Sequence, residues 1–213
     1  TADFNTQNIS VGEGIKISLV GLSASAQNDK VNFQFSASDS DTFPNRLNLQ
    51  GNYNVFSPSH GKLVFEKSSV FISNDEWALN HENSIDIDSS DIKISGLTLS
   101  RDKQFFGLNG IISNNNSDRL EFSFDNFSMQ NINPMLSSSG FGFGGVMNGN
   151  FSLSGIFSKL NVLSDLSIQN FCLNSDTVGN ATVKSGWNDE KQELTANVNV
   201  IKGTKKIIDV DGK

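Results

Sequence analysis

Three Asp pairs at D-x-D spacing, Asp39/Asp41, Asp86/Asp88 and Asp209/Asp211, come nearest to a catalytic arrangement in this chain. Alternate residues of a strand face the same way. Such a pair could act as acid and base on a glycosidic bond, or hold a hard cation. In SIDIDSSD and IIDVDG, however, the carboxylates alternate with Ile and Val, which puts them on the wet face of a strand. His60 in SPSHGK and His81 in LNHENS lie in polar turns without an HxxxH or HExxH spacing. A metal centre needs several converging donors, so both read as surface residues. Gly140, Gly142 and Gly145 in GFGFGG satisfy GxGxxG formally. A dinucleotide loop needs a strand before it and a helix after it. NPMLSSS precedes and VMNGNFSLSG follows, which describes a Gly-rich turn between strands, and Val146 stands where a phosphate-binding GxxxxGK[ST] loop has Lys.

No GxSxG elbow marks any of the 31 Ser as a nucleophile. Cys172, the single cysteine, sits beside Phe171 and Leu173 as a small buried or half-buried thiol, and it excludes an internal disulfide. Trp77 and Trp187 read as core anchors before sugar platforms. The N-x-[ST] triplets at Asn8, Asn115, Asn126, Asn150 and Asn180 are what a chain with 27 Asn and 31 Ser produces by chance. No metal, no cofactor and no catalysis are expected.

Composition narrows the classes further. The 213 residues suit one domain, or one piece of something longer. A net charge of −7 and a pI near 4.7 argue against nucleic acid, whose phosphates want clustered cations. Ser and Asn make the polar half neutral and hydrogen-bonding, suited to turns and to the solvated face of a sheet. Of the 20 aromatic residues, 17 are Phe, which offer apolar surface without a polar handle. No run reaches the ~20 apolar residues of a membrane span, and the chain reads as a piece of a longer protein.

Most of the chain reads as strands. Apolar residues alternate in KVNFQFSAS, RLNLQGNYNV, KLVFE, SVFIS, SIDID, RLEFSF, GNFSLSG, NATVKSG and ELTANVNV, separated by turn clusters such as QNDK, SDSDTFPN, SNNNSD and WNDEKQE. Only NINPMLSSS, around Pro134, suggests a short helical turn. A degenerate motif, Φ-x-Φ-x-x-Φ-x-Φ with Φ apolar, occurs at Ile92, Ile94, Leu97, Leu99, at Phe122, Phe124, Phe127, Met129 and at Leu166, Ile168, Phe171, Leu173. A looser copy is Ile15, Ile17, Val20, Leu22. The alternation slips by one at Gly96, Asn126, Asn170 and Leu19, which predicts a bulge that returns the second half to the same face. Strands bending at one level would fold the sheet along a crease. The expected fold is therefore all-β, an elongated U-folded antiparallel or mixed sheet with an apolar inner groove and very little helix, over residues 1–213.

The stretch from about residue 85 to 213 resembles the TamB/AsmA-like family of bacterial cell-envelope proteins in its Bacteroidetes-type form. The carrying segments are SIDIDSSDIKISGLTLSRDKQFFGLNG, RLEFSFDNFSMQNINPML, GVMNGNFSLSGIFSKLNVLSDLSIQNFCLN and TVGNATVKSGWNDEKQELTANVNV. Gly149 to Gly155 is similar to the family's G-x-Φ-x-Φ-x-G strand. Val178 with Gly179, and Ser185 to Asp189, are similar to its Φ-G strand and Trp-Asp turn, with Asn188 standing between Trp187 and Asp189. The resemblance implies a segment of a long periplasmic β-taco. An N-terminal helix outside this stretch would anchor it in the inner membrane, and a C-terminal part would meet a BamA/TamA-like outer-membrane barrel. It also implies movement of phospholipid between the membranes, or support of outer-membrane protein assembly. On that reading the partners are phospholipid acyl chains, and the groove is lined by Ile92, Ile94, Leu97, Leu99, Phe122, Phe124, Phe127, Met129, Phe151, Leu153, Leu166, Ile168, Phe171, Leu173, Val183, Leu194, Val198 and Val200. A secreted or surface β-solenoid or sandwich, used in adhesion or glycan binding through Trp77 or Trp187, is the alternative. A β-helix lyase or hydrolase built on the D-x-D strands is the third.

Overall fold

The computed structural model describes residues 1–11, 15–39, 45–136, 139–188 and 193–212. They form one sheet of sixteen strands in which every pairing is antiparallel. The first strands, β1 (Ala2–Val11), β2 (Ile15–Gln27), β3 (Lys30–Ser38) and β4 (Arg46–Ser57), pair in succession. Next come β5 (His60–Phe65), β6 (Ser69–Ile72), β7 (Asp75–Leu79) and β8 (Ser84–Ile87). Then β9 (Asp91–Arg101), β10 (Gln104–Ser113), β11 (Arg119–Ser128) and β12 (Phe143–Ser154) follow. The series closes with β13 (Asn161–Leu173), β14 (Asp176–Asn188), β15 (Glu193–Lys202) and β16 (Lys205–Gly212). Met129–Leu136, containing Pro134, is a 3₁₀ helix between β11 and β12.

Two rungs of the sheet are broken in the middle. Both β5 and β6 pair with β4, both β7 and β8 pair with β9, and β5–β8 and β6–β7 pair with each other. Asn83 fills the break. Its Oδ1 accepts from Phe65 N–H at 2.9 Å, and its Nδ2 donates to Phe65 O at 2.9 Å and to Asn80 O. One buried side chain thus replaces a missing strand residue. Asn83→Leu keeps the volume but strands the donor and acceptor of Phe65. The expected loss is about 2–4 kcal/mol, read as a lower urea midpoint.

Three of the four motif copies bulge where the alternation slips. Gly96, Asn126 and Asn170 have φ of 63°, 49° and 52°, the left-handed region that Gly and Asn tolerate best. The pairing register shifts beside each of them. On the neighbouring strand an Asn carbonyl oxygen accepts the freed N–H each time. Gly96 N–H donates to Asn109 Oδ1 at 2.6 Å, Asn126 N–H to Asn148 Oδ1 at 2.8 Å, and Asn170 N–H to Asn180 Oδ1 at 2.9 Å. Residue types allow the bend, and a side-chain amide keeps it hydrogen-bonded.

Two expectations are corrected. Leu19 makes no bulge: Leu19 and Val20 pair with Ser38 and Ala37 without a break. Nor do the bulges share one level. Asn109 pairs with Glu121, five residues before Asn126, so the bend line steps down between β10 and β11. Fourteen strands follow one another on the main path, which at about 4.8 Å per step extends the sheet over about 62 Å.

Candidate functional site: the apolar face

Residues directly opposite in a ladder point to the same face, and the register joins the apolar positions into long rows. One runs Ala26, Val31, Tyr53, Leu63, Ile85, Ile94, Gly110, Leu120, Leu153, Val162. A second runs Leu79, Leu99, Phe106, Phe124, Gly149, Leu166, Val183, Val198, Val210. Leu97, Leu108, Phe122 and Phe151 form a third, and Phe4, Leu22, Phe35 and Leu49 continue the same pattern at the other end. The opposite face carries rows such as Ser123, Asn150, Asp165, Lys184, Asn197, Asp211. One face is greasy and the other wet.

Phe side chains pave the middle of the apolar face. The Phe122 and Phe151 rings stack at 4.3 Å with 7° between planes, and Phe106, Phe124 and Phe127 lie within 5.4–6.4 Å of their neighbours. Trp77 reaches Phe127, its ring 5.7 Å away. Since β9 and β10 lie between β7 and β11 in the sheet, the two rings meet over the intervening strands.

Among the described residues, cover on this face is local. Trp77 is wholly buried, so it offers no exposed sugar platform. The 3₁₀ helix packs Met129 and Ile132 with Ile168, Ala181 and Val200, and Asn133 ties it down by exchanging two bonds with the Phe143 backbone, at 2.8 and 3.0 Å. Of the eighteen expected groove residues, Ile94, Phe127, Met129, Ile168 and Val200 are buried. Met129 also begins the helix instead of ending β11. Of the others, Ile92 is exposed. Leu97, Leu99, Phe122, Phe124, Phe151, Leu153, Leu166, Phe171, Leu173, Val183, Leu194 and Val198 are half-buried. Phe106, which belongs to the same floor, escapes sequence reading because the adjacent Phe105 breaks the alternation.

The surface area agrees. A compact 23.2 kDa protein exposes roughly 9,700 Å² by size scaling, whereas this chain exposes 12,984 Å². The excess is that of an extended sheet and not of a compact globule.

The polar face holds two shallow depressions. One, of about 530 Å³, is bordered by Asn109, Arg119, Glu121, Ser123, Asn150 and Asp165, and the other, of about 240 Å³, by Asp3, Asn5, Ser23, Gln34, Ser36 and Asn48. His60 Nε2 lies 2.8 Å from Asp86 Oδ1 at a part-exposed position. The Ser89 hydroxyl and N–H, both donating to Asp88, hold its carboxyl below the usual carboxylate range. Asp209 and Asp211 accept from the Asn199 and Asn197 amides on the wet face. Asp41 and Asp189 lie outside the described residues. Among the described residues no three His, Cys, Asp or Glu side chains converge as a metal site, and no helix is long and apolar enough to cross a membrane. Gly140 lies in a turn at a φ of 72°, and Gly144 and Gly145 lie within β12. Cys172 is half-buried.

No protein-family model, no curated protein and no solved structure matches the chain.

Proposed function

We propose that this chain is a segment of a cell-envelope conduit whose apolar face solvates phospholipid acyl chains in transit between the inner and outer membranes, as the TamB/AsmA-like resemblance suggests. The observation that carries the reading is the run of in-register apolar side chains across the sheet, with local cover among the described residues. Each CH₂ exposed to water costs about 0.8 kcal/mol, so carrying a sixteen-carbon tail through water would cost about 12 kcal/mol. A continuous apolar floor removes most of that barrier without hydrogen-bond readout. A BamA/TamA-like barrel and an inner-membrane anchor belong to the rest of such a protein.

Phe124→Arg and Val198→Arg each place a cation on a half-buried floor position. The expected result is a roughly ten-fold or greater drop in co-purifying phospholipid, the ratio that about 1.4 kcal/mol of lost contact produces, with the circular-dichroism spectrum retained. Unchanged lipid content in both folded variants would overturn the conduit reading.

A further inference from the structure

The bulge line forces a chemically reactive dipeptide into the sequence twice. Gly110 and Gly149 have φ of 127° and 118°, and a Cβ on either would lie 2.0 Å from the carbonyl oxygen of Arg119 or Asp165. No other residue fits there. The residue before each glycine must supply the acceptor for the bulged N–H of the neighbouring strand, and in both cases it is Asn. The outcome is Asn109–Gly110 and Asn148–Gly149. In an Asn–Gly step the following amide nitrogen is least hindered, so it attacks the side-chain carbonyl most readily.

We propose that Asn109 and Asn148 are deamidation sites of the unfolded or locally opened chain, held inert by the folded bulges. The Gly149 amide nitrogen, losing its proton, bonds to Asn148 Cγ while the Cγ–Nδ2 bond breaks. Ammonia leaves with that proton and a five-membered cyclic imide remains. Water then cleaves one of the two imide C–N bonds and gives aspartate or isoaspartate, with no change of oxidation state. Asn109 and Gly110 react in the same way. In the fold, Asn148 Oδ1 is engaged by the Asn126 N–H, and Gly149 is fixed between Phe124 and Leu166 in the ladder. Neither the carboxamide nor the backbone can turn for the attack without opening the pairing.

The consequences of the two products differ. An aspartate formed from Asn148 still accepts from the Asn126 N–H. An isoaspartate adds one backbone carbon, which breaks the register of β12 against β13 and blocks re-formation of the bulge. An unfolded chain therefore loses its capacity to refold at the positions that bend the sheet.

Asn180 is the internal control, because it makes the same bond to Asn170 but is followed by Ala181. The protein is held at pH 8.5 with and without concentrated urea, and peptides are mapped for the one-dalton gain, with isoaspartate assigned by electron-transfer fragmentation. In urea, Asn109 and Asn148 convert well ahead of Asn180. Without urea both slow by roughly ten-fold or more, because the pairing must open first. Equal rates at Asn109 and Asn148 in the two conditions, or conversion of Asn180 as fast as Asn148 in urea, would overturn the proposal.

Discussion

Gly149→Ala is expected to destabilise the sheet by about 3–5 kcal/mol, whereas Gly140→Ala loses only about 1 kcal/mol. Both glycines have positive φ, 118° and 72°, but only the second lies near the left-handed region that an L residue can enter. The surroundings widen the gap. An added Cβ at Gly149 falls 2.0 Å from Asp165 O and 3.1 Å from Leu166 Cα, both backbone atoms of the paired strand β13. They cannot move aside without unpairing the ladder. At Gly140 nothing lies within 4 Å. Urea unfolding followed by far-ultraviolet circular dichroism reads the difference. Equal midpoints for the two variants would mean that the close β12–β13 pairing at Gly149 is not present in solution.

Trp77→Ala is the second large effect, at about 3–5 kcal/mol. Trp77 is the largest wholly buried side chain among the described residues. It sits on the short strand β7, which has only a few residues paired with β6 and β9, so ring packing and not ladder length holds this half-rung. Its contact with Phe127 joins rungs that β9 and β10 separate. Trp77→Phe is expected to lose far less. It keeps most of the apolar volume and removes an indole N–H that finds no acceptor among the described residues, a group whose burial itself costs about 1–3 kcal/mol. Differential scanning calorimetry of the two variants tests the ordering, and a larger loss for Phe than for Ala would contradict it.

Much of this was legible in the sequence, and the reasons are physical. Alternation over short runs separated by turn residues identifies strands because their side chains repeat with period two. The bulges at Gly96, Asn126 and Asn170 were readable because the pattern slips by one at a residue that tolerates positive φ. Leu19 shows what the motif leaves out. Leu is strongly disfavoured in the left-handed region, and the segment of β3 opposite Leu19, Ser36–Ala37–Ser38, holds no Asn to accept a freed N–H. The complete signal has two parts, a slip at Gly or Asn and an Asn acceptor on the next strand.

The local cover was less readable. Trp77 meets Phe127 from fifty positions away, and no local pattern encodes that pairing. The 3₁₀ helix was expected near Pro134, but nothing in NINPMLSSS says that it packs onto Ile168, Ala181 and Val200. The oblique course of the bend line was likewise hidden, since it depends on the register between β10 and β11. The two polar-face depressions escaped for a related reason. Their residues are mostly ordinary Ser, Asn and Gln positions, made concave only by the shape of the sheet.

Photo-cross-linking from both faces tests the conduit most directly. A benzophenone amino acid is placed at Val183 or Val198 on the floor, and at Lys184 or Asn197 on the wet face, each paired across β14 and β15. Irradiation in intact cell envelopes should then yield phospholipid adducts from Val183 and Val198 and essentially none from Lys184 and Asn197. Equal labelling of the two faces, or none from the floor in a folded protein, would contradict the conduit.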